Sequence, residues 1–272
     1  MPTDHPLDTA LALQRDPTTP GRWQGAPQPA WANMVGPYGG ITAAQLLQAV
    51  MLDERRLGEP LALTVNFAGP VADRPFTIDA VPVRTNRSTQ HWTMQLSQGG
   101  EVCTTATAVC AARRPTWSAA EAVMPVVPAA DAVPMETRKP PIAWVQRYDL
   151  HFVEGGWPDF SRPQELADSR TVLWLRDHPA RVLDAAALAA LADVFYPRVF
   201  RRRQRAVPAG TVSLTTYFHA DAAELAAVGA QPVLGVAQGR RFVNGFFDQS
   251  AEIWSPDGRL LASSHQVVYF KE

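Results

Sequence analysis

The chain has 272 residues, of which 46% are hydrophobic, so it is long enough for one large or two small domains with apolar cores. Its 25 basic and 26 acidic residues nearly cancel, which argues against a positively charged surface for nucleic acid. The first residues lack an apolar signal core, and no segment has the apolar length of a membrane span. We therefore expect a cytoplasmic protein without membrane insertion.

Two features that could carry chemistry, the cysteines and a basic run, are predicted to have structural roles only. Cys103 and Cys110 lie seven positions apart in a probable strand, so their side chains should point to opposite faces and should not pair with each other. Metal-ligand spacing is absent from the sequence, and no metal or cofactor is predicted. The dense basic run at 201–203 is interpreted as a solvated helix end or loop.

The first half of the chain reads as one helix followed by a strand meander. Gly39 and Gly40 precede an Ala/Gln/Leu-rich segment, 41–52, whose apolar residues recur on one helical face. Two glycines at this point allow another group to approach the helix start closely. Four strand-like runs with turn residues between them follow, at 61–67, 76–85, 88–97 and 101–111.

The second half repeats this plan after a linker. The linker, 113–141, places prolines among Ala and Val. An Ala/Leu-rich helix is predicted at 183–195. Strands are predicted at 148–153, 171–176, 211–219, 233–240, 244–254 and 260–270. The predicted division is a first half at 1–112, a linker at 113–145 and a second half at 146–272.

The two halves can be superimposed as sequences. Residues 63–67 match 214–218, and the turn ending at Gly100 matches the turn ending at Gly258. Such a repeat indicates a duplicated domain whose halves pack as a pseudo-dimer. A helix wrapped by an antiparallel sheet is the hotdog arrangement. The prediction is an α+β double hotdog whose two sheets join into one continuous sheet, which also removes exposed edges.

Three polar residues are candidates for chemistry, although each has an ordinary explanation. Asp193 interrupts the apolar run of the second predicted helix, but it could simply point to water near the helix end. Thr211 is a typical β-branched strand residue, and Gln266 fits an exposed strand position. His265 lies on the opposite face of the sheet from Gln266, so the two cannot serve one site.

The order of these residues carries a resemblance to a known family. The helix with Asp193, the Thr211 strand that runs into Phe218 and His219, and the segment 257–263 through Gln266 are similar to the C-terminal half of the TesB-like (type II) acyl-CoA thioesterases. The first half also resembles that family, with Gly39-Gly40 opening its helix. The resemblance implies a fatty acyl-CoA substrate and a role in lipid metabolism, and it leaves homo-oligomer formation open.

The resemblance also implies a mechanism. The family uses an Asp, a Thr and a Gln to hold and activate a water, and here these are Asp193, Thr211 and Gln266. Asp193 is the expected general base, while the other two fix the water. Backbone N–H groups at the Gly39-Gly40 helix start are the expected donors to the oxyanion, aided by the helix dipole.

Two alternatives stay open beside hydrolysis. The first is a non-catalytic acyl-CoA-binding hotdog protein, which the intact Asp, Thr and Gln argue against. The second is a hotdog enoyl-CoA hydratase with an Asp/His dyad, for which only the adjacent pair Asp177-His178 is available. A serine thioesterase is disfavoured because the sequence lacks a Gly-x-Ser-x-Gly nucleophile elbow.

The repeat makes a further prediction about the number of sites. The alignment of the halves places Ala108 opposite Gln266 and Pro60 opposite Thr211. Neither side chain can orient a water. We therefore expect one composite site per chain, with glycines from the first half facing polar side chains from the second.

Overall fold

Twelve antiparallel strands form a single sheet in the computed structural model, which describes residues 5–272. The first half contains α1 (Pro6–Leu11), β1 (Gln14–Arg15), β2 (Arg22–Gly25), α2 (Gly39–Met51), β3 (Glu59–Phe67), β4 (Phe76–Thr85), β5 (Thr89–Gln98) and β6 (Glu101–Ala111). The second contains β7 (Tyr148–Glu154), β8 (Thr171–Asp177), α3 (Ala185–Leu191), α4 (Arg198–Arg203), β9 (Ala209–Phe218), α5 (Ala222–Val228), β10 (Val233–Val243), β11 (Phe246–Trp254) and β12 (Leu260–Phe270). The strand order is β1-β2-β4-β5-β6-β3-β9-β12-β11-β10-β8-β7.

The halves join at the centre of the sheet, where β3 pairs with β9. Thr64 lies directly opposite Thr215, and their hydroxyl oxygens are 3.0 Å apart. These two residues are also counterparts in the sequence repeat, so an approximate two-fold axis passes between them. The continuous sheet confirms the predicted double hotdog.

The helices α2 and α3 pack against each other inside the sheet. Almost every residue of α2 is buried, and α3 consists of Ala and Leu alone, which lets the two helix backbones approach closely. The Tyr38 hydroxyl donates to the Ala190 carbonyl at 2.6 Å and so links the start of α2 to the end of α3. One hydrophobic core therefore extends through both halves.

The helix predicted at 183–195 is shorter in the structure. The side chain of Asp184 caps its start by accepting from the Ala187 N–H. At its end, the Asp193 N–H donates to the Ala190 carbonyl at 3.2 Å, a bond that tightens the last turn. Asp193 consequently lies in a turn two residues beyond α3 rather than within a helix.

The linker covers the outer face of the second half. Residues 113–141 contain only a short 3-10 turn, Ala130–Ala132, among their described structure. Linker residues pack on Trp174 and Trp254, which face outward from β8 and β11. The sequence did not predict α1, β1, β2 or α5.

The basic run at 201–203 ends α4, as one of its two interpretations stated. Its side chains are partly buried rather than fully solvated, and two of them form ion pairs, Arg202 with Glu165 and Arg203 with Glu272. The thiols of Cys103 and Cys110 are free and buried. Within residues 5–272, no helix is long and apolar enough to cross a membrane.

Candidate active site

The structure brings the three polar candidates into one hydrogen-bonded group. The Gln266 amide nitrogen donates to Asp193 Oδ1 at 2.8 Å. The Thr211 hydroxyl donates to the Gln266 amide oxygen at 3.3 Å. Gln266 thus connects the other two side chains, and its amide orientation is set from both ends.

A β-bulge explains how Thr211 comes to face the same side as Gln266. The register between β9 and β12 shifts between Val267 and Val268, which leaves Val212 as the extra residue. Simple alternation from the buried Leu214 would turn Thr211 outward. The extra residue reverses the alternation, so Thr211 points inward.

The first half contributes the start of α2. A Cβ added at Gly39 would lie 2.7 Å from Asp193 Oδ2 and 3.3 Å from the Phe67 ring. A Cβ at Gly40 would lie 2.5 Å from the Ala190 carbonyl oxygen. A Cβ at either position would force a neighbour to move, so the absence of side chains here brings the helix start against the carboxylate.

Burial controls the charge of Asp193. The carboxyl is partly buried at the junction of the two halves, and burial raises its pKa to about 7. The hydrogen bond from Gln266 and a contact from the Gly40 N–H lower the pKa by less than burial raises it. A carboxylate that titrates near neutral pH suits a general base.

The Gly40 contact also changes one expectation about the helix start. We expected backbone N–H groups here to serve an oxyanion. In the structure the Gly40 N–H interacts with the Asp193 carboxylate and lowers the pKa of that group. Because Gln266 occupies Oδ1, the Oδ2 atom beside Gly39 is the carboxylate oxygen free to take a proton.

The strand register supports a single site per chain. Leu63 faces Ala108 across β3 and β6, as Leu214 faces Gln266 across β9 and β12. A bulge between Pro60 and Ala62 corresponds to the bulge at Val212. Pro60 and Ala108 therefore occupy the counterpart positions, and neither carries a side chain that can orient a water.

We accordingly expect one tight binding site per chain in a calorimetric titration with a non-hydrolysable acyl-CoA thioether. Residual binding by the counterpart region should be weak, because its polar side chains are missing. Two equal, tight sites per chain would contradict this expectation. The stoichiometry is the number of analogue molecules bound per folded protein chain.

The pair Asp177-His178 does not form a dyad. Asp177 is buried at the end of β8, and burial raises its pKa to about 7. The His178 side chain is 55% exposed and lies 3.0 Å from Asp149. The two neighbours point to opposite sides, so the arrangement does not favour the hydratase alternative.

One cavity lies away from the three polar candidates. It has a volume of about 180 Å³ and lies between α5 and the turn after β11, with Glu224, Ser255, Asp257 and Arg259 among its lining residues. None of the three polar candidates lines it. Its charged lining and lack of a buried base make it a poor match to thioester chemistry.

Comparison with known protein families identifies the family of this chain. A model described as the acyl-CoA thioesterase N-terminal domain matches residues 28–111, and one described as the acyl-CoA thioesterase C-terminal domain matches residues 121–270. The chain belongs to the acyl-CoA thioesterase family. This confirms the resemblance to TesB-like thioesterases.

Solved structures share the fold of this chain. The thioesterase-family chain is 50% identical to a conserved protein of unknown function with hot dog fold from Alicyclobacillus acidocaldarius, with 98% of each chain covered and a TM-score of 0.93. A tesB protein from Mycobacterium avium subsp. paratuberculosis is 18% identical over 98% of each chain, with a TM-score of 0.80. An acyl-CoA thioesterase II from Mycobacterium marinum is 17% identical over 97% of this chain and 98% of its own, with a TM-score of 0.74. The last two show the shared fold. No curated protein sequence matches the chain.

Proposed function

We propose that this protein hydrolyses fatty acyl-CoA thioesters to the free acid and CoA, with Asp193, Thr211 and Gln266 as its catalytic side chains. The observation that carries the proposal is the hydrogen-bonded group of these three residues facing the glycine start of α2. The family membership supports the same reaction class. In this proposal, residues 1–112 supply the helix start, 113–145 the linker and 146–272 the catalytic side chains.

Hydrolysis by this group needs no covalent intermediate with the protein. Asp193 Oδ2 takes one proton from a water as the water oxygen attacks the thioester carbonyl carbon. The carbonyl π electrons move to oxygen and form a tetrahedral oxyanion. When the carbonyl reforms, the carbon–sulfur bond breaks, and the proton held by Asp193 passes to the departing thiolate. The products are the carboxylic acid and CoA, and Asp193 is again ionised.

Gln266 and Thr211 act by position rather than by proton transfer. Gln266 holds Asp193 Oδ1 so that Oδ2 stays directed toward the water. Thr211 fixes the Gln266 amide and retains oxygen lone pairs that can accept a hydrogen bond from the water. A water bound between Thr211 and Oδ2 is thereby oriented before the substrate arrives.

A thiol-release assay across acyl-CoA chain lengths tests the proposal. Hydrolysis releases one free CoA thiol per turnover. A non-catalytic binding protein would bind the acyl-CoA without releasing thiol, and a hydratase would consume enoyl absorbance without releasing thiol. Either of those results would reject the proposed function, and the chain-length series would define the preferred acyl group.

Activity should rise with pH through the titration of Asp193. Because the carboxyl must be ionised to accept a proton, and burial raises its pKa to about 7, kcat/KM should be low at pH 5 and approach a plateau above pH 8. The measurement is a pH profile with a short acyl-CoA. The Asp193→Asn variant should lack this acidic limb in its residual activity, and an unaltered limb would assign the titration to another group.

A further inference from the structure

The strand next to Gln266 carries a second buried amide, that of Gln249. This residue is in the middle of β11, directly opposite Gln266 on β12. Directly opposed residues in an antiparallel sheet share one face, so Gln249 also points inward. Its side chain is 1% exposed, and within residues 5–272 its amide nitrogen has no hydrogen-bond partner.

An unpaired buried amide is costly and so requires a reason. Leaving such a donor unsatisfied destabilises the folded protein, because its hydrogen bond to water is lost on folding and is not replaced. A buried glutamine elsewhere in the sheet avoids this cost: Gln98 accepts the Ala72 N–H and donates to the carbonyls of Ala72 and Arg74. Gln249 differs from this fully bonded glutamine in keeping its donor free beside the candidate catalytic group.

The neighbours of Gln249 across the sheet are Gln266 on one side and Gly239 on the other. Gly239 of β10 has no side chain to accept a hydrogen bond. The side-chain donors already described at the site are engaged with each other, since Thr211 donates to Gln266 and Gln266 donates to Asp193. Opposed Cβ atoms lie about 5 Å apart, so the Gln249 amide reaches a group bound over Gln266.

We propose that Gln249 is a further catalytic residue, whose amide nitrogen donates to the thioester oxygen and stabilises the oxyanion that forms there. This inference rests on the proposed hydrolysis. A buried donor that the protein itself does not engage can stabilise negative charge that develops beside it, because it need not first break another bond. It also supplies a donor on the side of Gln266 away from Thr211, where the attacking water does not compete for it.

Replacing Gln249 by Met removes the donor and keeps a side chain of similar size. We expect kcat to fall by about 100- to 1,000-fold, the usual effect of losing one oxyanion donor, with a KM close to that of the parent. The thermal midpoint should stay equal or rise, because the unpaired buried amide is gone. The matched control is Gln98→Met, which should lower the thermal midpoint and leave kcat within about two-fold.

Binding measurements test the contact without turnover. Two CoA analogues are compared by calorimetry: a ketone in which CH2 replaces the thioester sulfur, and a thioether in which CH2 replaces the carbonyl. Gln249→Met should weaken the ketone by about 10-fold, the loss of one hydrogen bond, and leave the thioether unchanged. Equal weakening of both analogues would overturn the proposal, because it would mean a contact outside the carbonyl.

The two proposals can fail separately. If the parent protein releases no thiol from any acyl-CoA, the hydrolytic function is wrong, and the analogue comparison still tests the contact. If the parent is active and Asp193→Asn abolishes turnover, but Gln249→Met retains kcat, the role assigned to Gln249 is wrong while hydrolysis stands.

Discussion

Replacing Asp193 by Asn is expected to reduce acyl-CoA turnover by about 100- to 10,000-fold, the typical effect of losing a general base. Asn has the same shape and still offers an oxygen to the Gln266 amide, so the loss should be in kcat rather than in folding. The measurement is thiol release at pH 8 under saturating substrate. Near-parental turnover in this variant would show that the proposed mechanism is wrong.

The same substitution should change stability in a defined direction. The pKa of Asp193 is raised in the folded protein, so its contribution to stability is present at low pH and is lost as the pH rises through about 7. Asn escapes that loss, and its thermal midpoint should equal or exceed that of the parent at pH 8. Asp177→Asn is the matched control, because burial raises that pKa to about 7 as well. It should show the same stability trend and retain turnover.

Replacing Gly39 by Ala is expected to lower kcat/KM by about 100-fold. The new methyl would lie 2.7 Å from Asp193 Oδ2 and must displace it, and a misplacement of about 1 Å can have an effect of this size. Because the obstructing atom belongs to a side chain, the fold should survive. Steady-state kinetics and circular dichroism separate the two effects.

Gly69→Ala provides the control for that experiment. A Cβ at Gly69 meets no atom within 4 Å, so this variant should keep parental kinetics. Unchanged kinetics in Gly39→Ala would instead show that the close approach of the α2 start to Asp193 does not matter for catalysis. Gly40→Val should be more severe in both stability and activity, because its Cβ would lie 2.5 Å from the Ala190 carbonyl oxygen and from the Tyr38 ring.

The strands were predictable because two local signals agreed. Alternating apolar residues defined their faces, and glycine turns at Gly100 and Gly258 defined their ends. The bounds predicted at 76–85, 101–111 and 260–270 match β4, β6 and β12. The joining of the halves was predictable from the repeat, since a shared sheet is the arrangement that covers two open edges.

The geometry of the site was harder to predict, because it depends on contacts between residues that lie far apart in the sequence. The Ala/Leu composition continues past Leu191, so nothing local indicates the turn that presents Asp193. The bulge at Val212 has no glycine to mark it, and Gln249 has the alternation of an ordinary strand residue. Asp193, Thr211 and Gln266 were identified together through the family resemblance, whereas their spacing alone favoured ordinary structural roles.

The hydroxyl pair at the junction of the two halves permits an experiment that a homodimer does not allow. In a true homodimer, one codon change alters both members of an axial pair, so the two cannot be varied independently. Thr64 and Thr215 occupy equivalent places but are encoded separately, and each can be changed to Val alone or with the other. The effect of the double change on the free energy of unfolding, minus the sum of the two single effects, gives the coupling energy between the two hydroxyls. Because both halves belong to one chain, that energy is read from ordinary unfolding curves without a correction for subunit dissociation.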